Sequence, residues 1–144
     1  IYAIGDLAFS EKRSKTRIES VHHAQFSAAV AAASITGSDL PEQEPFWFWS
    51  NQHDVKLQIA GILPQTSESQ QIHNEVRLGK KEGCFSVWSW YQNKLVCIEA
   101  IEDSQSFIVG KRLLERNIYV PPDMIADEKV PLKQLFVKLM ANAD

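Results

Sequence analysis

Cysteine is scarce in this 144-residue chain: Cys84 and Cys97 are the only two. Two thiols cannot build a disulfide framework, and neither stands at metal-ligand spacing, so a stapled scaffold and a cysteine-held zinc are both excluded. Both are expected to be free and mostly buried. No apolar run approaches the roughly 20 residues that cross a bilayer, and the opening Ile1-Tyr2-Ala3 lacks the basic start of a signal peptide. The expectation is a cytoplasmic chain with no membrane contact. Positive charge is not in excess either: 15 Lys and Arg against 18 Asp and Glu leave a net charge of −3. The whole molecule therefore offers nucleic acid no electrostatic attraction, and any basic docking surface must be local. The six glycines form no phosphate-cradling loop, and no serine sits in a Gly-x-Ser-x-Gly turn. The histidines suggest no base–nucleophile pairing, so no catalytic residue and no metal is assigned.

Aromatic residues, by contrast, are concentrated. Glu44-Pro45-Phe46-Trp47-Phe48-Trp49-Ser50-Asn51-Gln52 places four rings side by side between a proline and a polar run. Such a block covers a flat surface, either of the protein's own core or of a ligand.

Around it the chain reads as α+β. Ile1–Ile4 is β-prone and ends at Gly5-Asp6, and Leu7–Arg17 is a polar loop carrying Lys12, Arg13, Lys15 and Arg17. The alanine-rich stretch Glu19–Gly37 predicts a helix that stops at Gly37. Within it, His22 and His23 diverge by about 100° and cannot hold one ion from one face. Ser38–Pro45 is a linker, and a domain boundary is expected there. Beyond it, Val55–Ile59, Ile72–Leu78, Cys84–Tyr91 and Lys94–Ile101 alternate as strands. A two-residue turn at Gln92-Asn93 would set Tyr91 opposite Lys94, Cys97 opposite Trp88 and Cys84 opposite Ile101. Ser104 is expected to cap a helix through Leu114, Pro121-Pro122-Asp123 to open a short turn or helix, and Pro131 to open the last helix. The expected architecture is an antiparallel sheet of four to five strands with helices on one face, preceded by a strand, a loop and a helix.

Five stretches carry a resemblance: Tyr2-Ala3-Ile4-Gly5-Asp6; Arg17-Ile18-Glu19-Ser20-Val21 with Ala24; Trp47-Phe48-Trp49-Ser50 with Gln52; Lys56–Gly61; and Phe107–Leu113. In this order they resemble the FAD-dependent ferredoxin–NAD reductases of the putidaredoxin reductase type. The resemblance implies a C-terminal part of such a protein, with residues 1–40 a remnant of the FAD-binding domain and 41–144 the C-terminal domain. It implies FAD as cofactor and NADH as electron donor. Asp6 would hold the ribityl chain, while Glu19, Ser20, Val21, His22 and His23 form a helix start facing the flavin pyrimidine. Trp49 would cover the ring, helped by Trp47 and Phe48. Lys12, Arg13, Lys15, Arg17 and Lys111 would attract an acidic ferredoxin-type iron–sulfur protein. Two positions depart from the family pattern: His23 stands where an amide is usual, and Asn51 where Asp is. The phosphate-binding loops of the two nucleotide domains are missing from this stretch, so it is expected to be inactive alone. A rival from another class is a non-catalytic module for homodimerisation or interdomain contact. A third reading is an apoptosis-inducing-factor-like flavoprotein, which shares the Phe48-Trp49-Ser50 stretch and the His22-His23 pair.

Overall fold

The computed structural model describes residues 1–9, 16–64 and 71–141. The chain divides into two compact units, Ile1–Phe48 and Trp49–Asp144.

The first unit is built on one helix, α1 (Val21–Thr36). Alanines supply its propensity, and its ends are set by side chain and backbone respectively. Ser20 is extended and its Oγ accepts the His23 N–H at 3.1 Å. At the other end Gly37 turns left-handed (φ 71°) and the Ser38 N–H closes on the Ala33 carbonyl at 3.0 Å. Ile1–Ile4 corrects the expectation of a strand: these residues carry no strand pairing, and Ile1, Tyr2 and Ile4 are exposed. An extended segment needs a neighbouring edge to become a strand, and no other strand lies beside it in this unit's described residues. A 3-10 turn, Gly5–Leu7, follows. The polar loop is bracketed by a single antiparallel bridge between Phe9 and Arg17; Lys12, Arg13 and Lys15 lie outside the described residues. Phe46 and Trp47, past the boundary expected at residue 40, go with this unit.

The chain enters the second unit within β1 (Trp47–Gln52). This strand and β2 (Val55–Gly61), β3 (Ile72–Leu78), β4 (Phe85–Tyr91) and β5 (Lys94–Ile101) form one five-stranded sheet in the order β1-β2-β5-β4-β3. The β4–β5 turn is the expected one: Gln92 (φ 50°) and Asn93 (φ 62°) are both left-handed, and Tyr91 pairs with Lys94. The register beyond it differs from expectation. A bulge between Ser89 and Trp90 shifts the pairing, so Cys97 faces Ser89 and Ile101 faces Phe85. Trp90 pairs with Leu95 and Ser89 with Cys97, which makes Val96 the extra residue. Gly61 accommodates it. At φ 89° its backbone passes so close that a Cβ would lie 2.0 Å from the Val96 carbonyl oxygen, and the next amide, Ile62 N–H, donates to that oxygen at 3.0 Å.

Pairing places Ala60, Ser86, Trp88, Trp90, Ile98 and Ala100 on one face, and all six are buried. Helix α2 (Ser104–Glu115) covers it over β5 and β2, α3 (Pro122–Ala126) packs on β3, and α4 (Leu132–Ala141) packs on α2. The cap of α2 is Asp103, one residue ahead of the expected Ser104: its carboxylate accepts both the amide and the hydroxyl of Ser106, while Ser104 Oγ instead donates to Gln58. Both buried indoles are satisfied, Trp90 by the Val120 carbonyl at 2.9 Å and Trp88 by Ser86 Oγ at 3.0 Å. Arg77 is buried and donates to the carbonyls of Ile125, Asp127 and Val130 at 2.7, 2.9 and 2.7 Å, tying the end of α3 to β3. The opposite sheet face is half-exposed, with Val76 and Leu78 open to solvent. Cys97 is buried there; Cys84, just ahead of β4, is partly buried, and both are free. Among the described residues no helix is long and apolar enough to cross a membrane.

Candidate functional site

The candidates around residues 6 and 19–23 all lie in the first unit. Because Ser20 is the cap, α1 proper begins at Val21, and Glu19 stands outside it. Glu19 is exposed and pairs with Arg17 at 3.1 Å. Val21, the first helical residue, is 57% exposed. The two histidines part as helical geometry requires. His22 lies on Trp47, ring centroids 5.3 Å apart, and its Nε2 is 3.5 Å from the Glu44 carboxylate. His23 is buried, edge-on to Phe46 at 5.4 Å. The linker's end thus returns to the helix start, each aromatic residue meeting one imidazole. Among the described residues no group of three or more His, Cys, Asp or Glu could hold a metal ion.

Asp6 is presented by the 3-10 turn. Its neighbour Gly5 donates its amide to Ser27 Oγ at 2.8 Å, which sets the turn against the second turn of α1. The Asp6 carboxylate is exposed and makes no hydrogen bond or ion pair among the described residues. Asp6 and the Ser20–His23 helix start are therefore brought into one unit. Trp49 and Lys111 belong to the other. Trp49 is 43% exposed, and Lys111 on α2 bonds Glu115 at 2.7 Å. Ser27 and Phe46 were not assigned functions from the sequence. Ser27 follows Ala24 by three residues on one helix face, a spacing that marks it as a neighbour of whatever Ala24 meets.

Within the first unit, Asp6 and the helix start have donor and acceptor chemistry compatible with a flavin nucleotide: an open carboxylate accepts hydrogen bonds from sugar-chain hydroxyls, and a helix start carries partial positive charge for an electron-rich ring edge.

Residues 47–136 match the family described as Reductase C-terminal. A 5,5'-dehydrodivanillate O-demethylase ferredoxin reductase subunit of Sphingobium sp. (strain NBRC 103272 / SYK-6) is 33% identical over 139 residues, 94% of this chain and 32% of its own length. Putidaredoxin reductase of Pseudomonas putida is 28% identical over 99% of this chain and 33% of its own length. Among solved structures, the covalent putidaredoxin reductase–putidaredoxin complex superposes with a TM-score of 0.78 at 26% identity, covering 97% of this chain and 32% of that one. A ferredoxin reductase from Rhodopseudomonas palustris gives 0.76 at 32% identity, covering 92% and 32%. The chain spans about a third of the length of the curated relatives it matches. With the matched stretch running through β1 to α4, the chain belongs to the Reductase C-terminal family, and its kin are ferredoxin reductases of the putidaredoxin reductase type.

Proposed function

We propose that this chain is the C-terminal part of a cytoplasmic FAD-dependent reductase that moves electrons from NADH to a ferredoxin-type iron–sulfur protein. In this reading residues 1–40 complete the FAD-binding domain and 41–144 form the C-terminal domain. The observation that carries it is Asp6: an exposed carboxylate with no bond among the described residues, held on a turn against a capped helix start. Names of relatives support the same direction, since several are ferredoxin reductases.

Bound FAD would supply the exchange between a two-electron donor and one-electron acceptors. The chain's own residues bind and orient. Asp6 would accept from ribityl hydroxyls, the start of α1 (Ser20, Val21, His22 and His23) would offer its positive end to the pyrimidine edge, and Trp49, in the other unit, would supply the apolar cover that excludes water. Glu19 acts outside the helix, through Arg17. For the acidic partner, Arg17 and Lys111 each already face a carboxylate. In this reading Lys12, Arg13 and Lys15 act with them in attracting the partner. Alone, the 144-residue chain holds one side of the cofactor site and no pyridine-nucleotide loop, and it is inactive. A second reading, a non-catalytic dimerisation or interdomain module, draws on the sheet face away from the helices, where Val76 and Leu78 are 53% and 63% exposed.

The test uses the full-length protein. A flavin spectrum bleached by NADH, with electrons reaching an acidic ferredoxin, supports the reductase. Asp6→Asn should lower FAD affinity about tenfold or more, the size of a charge-assisted hydrogen bond. Trp49→Ala should also weaken flavin binding. A purified full-length protein that neither carries nor takes up flavin sinks the reading and leaves the module.

A further inference from the structure

We infer that Ser27 is a positioning residue for Asp6, fixing the carboxylate where the flavin's ribityl chain would meet it; this rests on the flavin reading proposed above. Ser27 is the second-turn residue of α1 that the Gly5–Leu7 turn touches through a hydrogen bond. Its hydroxyl is used twice. It donates to the Ala24 carbonyl at 3.1 Å, which orients the oxygen, and it accepts the Gly5 N–H at 2.8 Å. Because the single hydroxyl proton is committed to α1, the lone pairs face outward to the turn.

The other end of the turn is closed on itself by the Ala8 N–H donating to the Gly5 carbonyl at 2.9 Å. Gly5 is thus held at both its amide and its carbonyl, and Asp6 follows it directly. The approach is close but not crowded. A Cβ at Gly5 would sit 3.7 Å from that of Ala24, an ordinary contact, so the small Ala24 side chain lets the turn reach Ser27. Without the Ser27 oxygen, the internal Ala8–Gly5 bond keeps the turn folded but frees it to swing relative to α1. The Asp6 carboxylate then pays an ordering entropy on binding that it now avoids. Ser27 itself touches neither carboxylate nor ligand in this scheme.

The test measures flavin binding to the full-length apoprotein by fluorescence quenching, using FAD and an FAD analogue whose ribityl chain lacks its hydroxyls. Ser27→Ala removes the acceptor while improving helix propensity, so α1 should persist. It should weaken FAD about tenfold. Ser27→Thr keeps a hydroxyl able to bond back along the helix and should stay within about threefold. Ser27→Cys, of similar bulk and weak acceptor strength, should behave like Ser27→Ala. In an Asp6→Asn background, or with the deoxygenated analogue, the Ser27→Ala loss should vanish, which a merely structural role would not produce. Additive losses overturn the inference, as does full FAD affinity in Ser27→Ala when Asp6→Asn is impaired. FAD affinity untouched by Asp6→Asn overturns the Asp6 assignment first, and the Ser27 role with it.

Discussion

Burial governs what Cys97 can do. Its thiol is 2% exposed on β5, and burial first, then the neighbouring Glu99 charge, pushes its pKa up from 9.0 to about 12. Below pH 9.0 folded and unfolded chains both keep the proton. Between there and about 12 only the unfolded chain releases it, so stability falls as pH rises through that window. Denaturant midpoints at pH 8 and about 10 should drop less for Cys97→Ala than for the parent. A parallel fall in both would refute the assignment. That both cysteines are free was legible from their number and spacing. The partner opposite Cys97 was not, because the bulge at Val96 answers to Gly61 on another strand, a contact that no local pattern announces. The same holds at the candidate site. Asp6 and the run from Glu19 to His23 were named through a resemblance, whereas Ser27 carries no motif and becomes visible only when Gly5 reaches it.

Elements were read best where the hydrophobic period was strong and the turn chemistry explicit. Strands β3 and β5 have the expected limits, and Gly37 ends α1 as a left-handed cap. Ile1–Ile4 failed because β-propensity without a neighbouring edge makes only an extended segment. Helix α2 shows how one small residue sets a layer. At Gly110 a Cβ would come within 2.7 Å of both Cδ1 and Cγ2 of Ile98, itself fully buried. Gly110→Ala gains about 1 kcal/mol of helix propensity but overpacks by about 1–3 kcal/mol. We expect overpacking to win, with a net loss of about 1 kcal/mol by urea denaturation. Adding Ile98→Val removes one of the two clashing carbons, so the double variant should lose less than the sum of the singles. Strict additivity would mean that Ile98 moves aside freely.

Over the whole molecule the two units hold very different amounts of core. In the first, the buried side chains among the described residues are His23, Ala33 and Phe46; the second buries Trp88, Trp90, Ile98, Leu113 and Ile125 among others. Amide exchange in the 144-residue chain should therefore be faster in α1 than in β4 and β5 by about a hundredfold or more. Equal protection would show that the units open together. The sheet order carries a consequence of another kind. Strands β1 and β2 are sequence neighbours, as are β3, β4 and β5, so the sheet consists of two locally wired pieces joined along a single seam, β2 against β5. Chain leaving a ribosome emerges amino end first, and β2 then waits on the order of seconds for β5 to be synthesised. During translation this sheet is completed from its middle, by its last strand.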